Sequence, residues 1–253
     1  MLTLQNQNLT LCVDPFGAQM MELGSKQGTQ FLWNGDKQYW PDRAPVLFPY
    51  VARLTDGCYT LCGERYSMDI HGFAKDSVFT IEEQSSDSVT FCLRQTPETL
   101  RQYPFRFTFR VRYALRGWTV HVTYSVCNED EKELPFGIGG HPGFSCPLTE
   151  EDGGFEDYSL YFDDASGCTV SLTKDGYMNK ELPKLDKLKG TNELPLKYSD
   201  FDNDAMIIEY LPKKSVKLIS RVSGKGFRFS FDGFDALGIW TPIKKNAPFI
   251  CLE

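Results

Sequence analysis

Period-two alternation of apolar and polar residues dominates this chain. Over Trp118–Val126 the even positions are apolar and the odd positions (Thr119, His121, Thr123, Ser125) are polar, the spacing of a strand with one buried face. Similar segments run over Ser88–Arg94, Phe105–Leu115, Ala205–Glu209, Ser215–Ile219 and Phe227–Phe231. Turn-forming groups separate them, among them Asn6-Gln7-Asn8, Asp14-Pro15-Phe16-Gly17, Arg116-Gly117, Asn128-Glu129-Asp130 and Ser223-Gly224-Lys225-Gly226. A short helical turn is predicted over Pro97–Gln102, and the lysine- and proline-rich stretch Pro183–Ser199 reads as a long surface loop. Regular strands without a run of amphipathic helices predict an all-β fold, a large antiparallel β-sandwich. No linker divides the sequence, so a single domain over residues 1–253 is expected.

Composition narrows the function class. A chain of 253 residues can bury a substantial core, and its 19 Phe and 12 Tyr favour strands and a ring-lined cleft. The formal net charge of −7, with no basic patch, argues against nucleic acid as a partner. The first residues lack the charged and apolar regions of a signal peptide, and no apolar stretch approaches the roughly 18 residues of a membrane helix. A cytoplasmic protein with no membrane partner is therefore expected. The eight cysteines are scattered, and Cys92, Cys127 and Cys251 fall inside apolar strand patterns. Cys58 and Cys62 have no second close pair to complete a zinc site, so reduced thiols are expected.

Two of the three histidines lie outside the alternating runs. His121 sits on the polar face of its strand and reads as solvated, whereas His71 (Ile70-His71-Gly72-Phe73) and His141 (Gly139-Gly140-His141-Pro142-Gly143-Phe144) stand in glycine-flanked loops. Imidazole titrates nearest neutrality, which suits proton transfer. A metal held with Asp76 is the alternative, but neither HxH nor HExxH spacing supports it.

Between Trp33 and Arg53 the chain is rich in rings that either form core or stack on sugar C–H faces. Arg53 follows an apolar run and, if buried, requires acceptors. Asp204 adjoins a strand and is placed to accept from hydroxyls, whereas Asp202, Asn203 and the pair Asp232 and Asp235 read as turn formers. Pro248-Phe249-Ile250-Cys251-Leu252-Glu253 is an apolar strand ending on a carboxylate, and that apolar run is expected to carry Glu253 into the fold.

An ordered set of motifs resembles the aldose 1-epimerase (galactose mutarotase) superfamily, in particular its LacX-like bacterial branch. The set comprises Gly35-Asp36…Tyr39-Trp40, Pro45-Val46-Leu47-Phe48-Pro49…Arg53, His71-Gly72-Phe73-Ala74-Lys75-Asp76, Gly140-His141-Pro142-Gly143-Phe144, Asp204-Ala205, Leu237-Gly238-Ile239-Trp240 and the segment ending in Glu253. The resemblance implies cofactor-free interconversion of the α and β anomers of a free hexose such as galactose or glucose, with no metal, by a monomer or homodimer. It implies that Glu253 takes the anomeric proton, that His141 protonates the ring oxygen, and that Arg53, His71 and Asp204 hold the sugar. Lys75 stands where the family pattern has arginine, and relatives usually continue for several residues past the position of Glu253. Two other readings remain: a sugar-binding protein without catalysis, and a hexose-6-phosphate 1-epimerase using Arg43, Arg53 and Arg65.

Overall fold

The structure, a computed structural model, describes residues 1–165, 167–178 and 181–253. Its contacts divide the chain into two compact units, residues 1–32 with 42–141 and residues 33–41 with 142–253.

The first unit holds a three-stranded meander (Leu2–Gln5, Leu9–Asp14, Gln19–Ser25) and a four-stranded antiparallel sheet. That sheet runs in the order Thr119–Asn128, Phe107–Arg116, Ser88–Arg94, Thr80–Gln84. The alternation seen in the sequence becomes burial: Val120, Val122, Tyr124 and Val126 pack on the core, while His121 and its odd-numbered neighbours are exposed. Phe48, Phe107, Phe109 and Tyr113 are fully buried, with the Phe48 ring stacked on Phe109 at 4.6 Å. The Tyr113 hydroxyl donates to the Ala18 carbonyl at 2.7 Å, so its burial strands no polar group. A two-stranded pair, Val46–Leu47 with Gly139–Gly140, completes the framework that matters for the histidines.

The α-helix Pro97–Gln102 coincides with the predicted helical turn. Thr96 and Thr99 exchange side-chain bonds with each other's backbone N–H, and Pro97 occupies the first turn, where its missing donor is harmless.

In the second unit a six-stranded antiparallel sheet runs Gly143–Ser145, Phe249–Leu252, Ala236–Trp240, Met206–Glu209, Val170–Lys174, Tyr177–Met178. A four-stranded sheet runs Glu193–Pro195, Tyr158–Phe162, Ser215–Ser220, Gly226–Ser230. The expected loop over Pro183–Ser199 thus contains a short strand, paired to Tyr158–Phe162 through Leu194 opposite Leu160. Its proline and lysines mask the buried Leu194 and Leu196 that dock it. Ile250 and Leu252 enter the main core of this unit, whereas Phe249 and Cys251 join Trp33 and Ala247 in a second apolar cluster. Strand Phe249–Leu252 is therefore buried on both faces, which is why its sequence is continuously apolar instead of alternating. Among the described residues no helix is long and apolar enough to cross a membrane. All eight cysteines are free thiols.

Candidate active site

In the first unit the segment Pro45–Phe48 organises both histidines. On one side Val46 and Leu47 pair with Gly140 and Gly139, and the His141 N–H donates to the Pro45 carbonyl at 3.0 Å. On the other side Phe48 bridges Gly72, and its carbonyl accepts from the Phe73 and Ala74 N–H groups at 3.0 and 3.1 Å. Gly72 has φ +73°, and a Cβ there would strike the Phe48 carbonyl, so glycine is required on both counts. The two imidazoles meet edge to face, with ring centroids 5.5 Å apart and planes at 88°.

His71 itself adopts left-handed backbone (φ 67°), as does Ala52 (φ 69°). Each such residue costs about 1–2 kcal/mol of steric strain. A reciprocal pair of bonds holds them: the His71 N–H donates to the Ala52 carbonyl at 2.9 Å, and the Ala52 N–H donates to His71 Nδ1 at 3.1 Å. Because Nδ1 accepts, the proton of the neutral ring resides on Nε2, leaving one N–H free to donate to a ligand.

Burial governs the charge of both rings. Desolvation, then the cations Lys75 and Arg53, lower the His71 pKa to about 4, with Asp69 opposing. Desolvation, then His71, lowers that of the buried His141 to about 3. Both are neutral at physiological pH. Lys75 forms an ion pair with Asp76 at 2.7 Å, which engages the carboxylate considered as a metal partner. Among the described residues no group of three or more His, Cys, Asp or Glu is placed to hold a metal. Arg53 is exposed and needs no buried acceptors.

The second unit gathers Asp204 and Glu253. Asp204 takes a positive φ of 149° just before strand Met206–Glu209. Its Oδ1 accepts from the Trp240 indole N–H at 3.1 Å and its Oδ2 from the Gly176 N–H at 2.8 Å. Thr173 fixes the next residue, accepting from the Ala205 N–H at 2.8 Å and donating to its carbonyl at 3.2 Å. Glu253 is anchored as expected: its N–H donates to the Gly238 carbonyl at 2.8 Å and its carbonyl accepts from the Gly238 N–H at 2.9 Å. Desolvation, then the Asp204 charge, raises the Glu253 carboxyl to about 8. The two turn formers Asp202 and Asn203 are exposed.

The rings of Trp33 and Trp40 differ in burial. Trp33 is buried and stacks on Phe249 at 4.5 Å, so it is core. Trp40 and Trp240 are half-buried and meet edge to face at 5.6 Å. Of the arginines considered for a phosphate, Arg43 donates to the Met21 carbonyl and Arg65 to the Cys58 sulfur. A separate groove of about 830 Å³ in the first unit balances Arg65 and Arg101 against Asp69 and Glu98, and includes neither histidine.

Thus Arg53, His71 and His141 fall in the first unit, Asp204 and Glu253 in the second, each set in electrostatic contact with its own members. Reasoning from sequence missed Ala52, Gly176, Trp240 and Gly238 as supports. Gly238 and Trp240 stand in the motif Leu237-Gly238-Ile239-Trp240, whereas Ala52 and Gly176 left no signal.

The family model for aldose 1-epimerase matches residues 1–253. The chain is 36% identical over 260 residues to the plasmid-borne protein LacX of Lactococcus lactis subsp. lactis, covering all of this chain and 86% of the relative. A galactose mutarotase-like protein from Lactobacillus casei superposes with TM-score 0.92 at 31% identity, covering 100% of this chain and 86% of the other. A galactose mutarotase related enzyme from Lactobacillus acidophilus gives TM-score 0.90 at 30% identity, covering 99% and 83%. The fold class is accordingly the all-β, antiparallel galactose mutarotase-like sandwich that the alternation and motifs predict. With a family model spanning its full length and LacX matching across it, this chain belongs to the aldose 1-epimerase family.

Proposed function

We propose that the protein interconverts the α and β anomers of a free hexose, of which glucose and galactose are the first candidates, in the cytoplasm and without a cofactor. The observation that carries this is a set of proton-transfer groups held neutral: two imidazoles with lowered proton affinity and one carboxyl with raised affinity. Groups perturbed by burial in this way mark sites of acid–base chemistry. Ring opening needs such groups, because the anomeric hydroxyl must lose a proton while the ring oxygen gains one.

In this reading Glu253 takes the proton from the anomeric hydroxyl, the bond from C1 to the ring oxygen breaks, and His141 delivers a proton to that oxygen. The aldehyde turns about its C1–C2 bond and recloses from its other face with the two roles exchanged. His71, with its proton on Nε2, donates to the ring oxygen or a neighbouring hydroxyl, while Arg53 and Asp204 hold further hydroxyls.

The proton count makes the reading testable. Between the histidine values near 3 to 4 and the Glu253 value near 8, His141 and Glu253 carry one proton in total, and at rest it sits on Glu253. The working arrangement, carboxylate with imidazolium, has the same number of protons and differs only in which group holds it. Catalysis should therefore show a broad plateau of kcat/KM, falling above about pH 8 as that proton is lost and below about pH 4 as first His71 and then, at about 3, His141 gains a further proton. Polarimetry of freshly dissolved α-glucose and α-galactose tests the activity. Mutarotation faster than buffer, abolished by His141→Ala, is expected; a rate equal to buffer with every hexose tried refutes the reading.

A further inference from the structure

Glu253 leans on residues that the reaction scheme does not use. Gly238 lies beside it in the neighbouring strand, and a Cβ on Gly238 would stand 3.2 Å from Glu253 Cβ and 3.5 Å from its carboxyl carbon. The absent side chain of Gly238 is the space that the Glu253 side chain occupies. Two residues along the same strand, and so on the same face, Trp240 spends its indole N–H on Asp204 Oδ1. Asp204 is the charged group of this unit that acts on the Glu253 carboxyl. The Cys251 thiol, on Glu253's own strand, is also coupled to it, and burial keeps that thiol protonated.

We propose that Trp240 and Gly238 are positioning residues for the acid–base reaction: Trp240 fixes the Asp204 carboxylate where its charge bears on Glu253, and Gly238 fixes where the Glu253 carboxyl lies. The proposal rests on the role given to Glu253 above. Asp204 needs such a hold because its backbone is at positive φ and, among the described residues, its other oxygen accepts from the Gly176 N–H alone. The indole is in turn braced edge to face by Trp40 at 5.6 Å and by the tilted Phe249 ring at 6.1 Å. A donor carried on a braced ring fixes direction as well as distance, which an exposed polar side chain would not.

The direct test is a carbon-13 carboxyl titration of Glu253, with its resonance identified by its loss in Glu253→Gln. Asp204→Asn should lower the Glu253 midpoint from about 8, and it should stay above the ordinary carboxylate value because burial persists. Trp240→Phe keeps a ring and removes only the donor; it should lower the midpoint in the same direction by about half a unit or more, as Asp204 swings free. In the assay, the upper limb of the pH–rate profile should move down with it, and KM should rise more than kcat falls. Gly238→Ala should instead cut kcat about tenfold with KM little changed, because the carboxyl is displaced and sugar hydroxyl contacts are not.

A Glu253 midpoint unchanged in Trp240→Phe while Asp204→Asn lowers it overturns the role of Trp240. Unaltered kcat in Gly238→Ala overturns that of Gly238. Should wild-type protein lack mutarotation altogether, the proposed function fails, and the carboxyl titration still decides whether Trp240 governs Asp204.

Discussion

The histidine cluster of the first unit and the carboxyl cluster of the second are built by opposite means and tuned by the same one. His71 and His141 hang on loop backbone, through a left-handed pair at Ala52 and His71 and a glycine against the Phe48 carbonyl. Asp204 and Glu253 sit at strand ends, locked by an indole, a threonine and the Gly238 pairing. In both clusters burial is the leading influence, and it disfavours the cation in one and the anion in the other. The larger neighbouring charges then add to that influence: Lys75 and Arg53 act on His71 against the smaller opposing effect of Asp69, and Asp204 acts on Glu253. A structural ion pair would show the reverse. Charges that reinforce desolvation leave acids and bases poised to exchange protons, the sign expected of chemistry and not of stability.

The largest effect expected is on rate. Glu253→Gln and His141→Ala should each lower mutarotation by about 10²–10⁴-fold, the range of a general acid or base, read by polarimetry. In the proposed reaction the two act as a unit, so the double variant should lose little more than either single one. Additive losses would break the pairing of the clusters and return each to a separate role.

Stability should respond to pH with opposite slopes. The folded histidines bind protons less readily than the unfolded value of 6.5, so their contribution is complete above that value and is lost as pH falls through about 4 and 3. Glu253 binds its proton more readily than its ordinary 4.5, so its contribution is full below 4.5 and is lost as pH rises through about 8. Denaturant titrations should show Glu253→Gln abolishing a decline between pH 6.5 and 8 and steepening the rise between pH 4.5 and 6.5, where the two contributions oppose, while the limb below pH 4.5 stays in place. The histidine variants should flatten the acid limb alone. A common response of both limbs to one substitution would contradict independent tuning.

Backbone strain separates the clusters too. Gly72→Ala adds left-handed strain and a clash with the Phe48 carbonyl, and should cost about 2 kcal/mol or more in urea unfolding. The strand-borne cluster holds Glu253 without a left-handed residue in its own strand, and its positive φ lies at Asp204 instead.

How much of this was legible in the sequence follows from the same contrast. Alternation placed His121 in solvent, because the half-buried strand Thr119–Asn128 writes its exposure in period two; it also marked the bounds of Ser88–Arg94, whose interior residues from Val89 to Leu93 are all buried. Motif order marked His71, His141, Asp204 and Glu253. The reciprocal bond of Ala52 with His71, and that of Trp240 with Asp204, join residues 19 and 36 positions apart through backbone angles that no local pattern announces. The charge states were equally hidden. The resemblance implies that Glu253 takes a proton and His141 gives one, whereas desolvation, a property of the packed interior, leaves both groups neutral.

The smallest effect is the sharpest test of which influence rules the first cluster. Lys75 acts on His71 as a cation but ranks below burial, with Arg53 next. Lys75→Met removes the charge, keeps most of the stem, and releases Asp76 from its 2.7 Å ion pair. His71 should then titrate higher by less than about one unit, followed by imidazole proton NMR, and should remain below 6.5 because the ring is still desolvated and Arg53 remains. Mutarotation at neutral pH should change little, since a neutral His71 that still donates from Nε2 meets the sugar in the same way. If His71 instead rises to the free value, charge and not burial holds it neutral. The likeness between His71 and Glu253 would then end, leaving His141 and Glu253 as the groups for which desolvation leads.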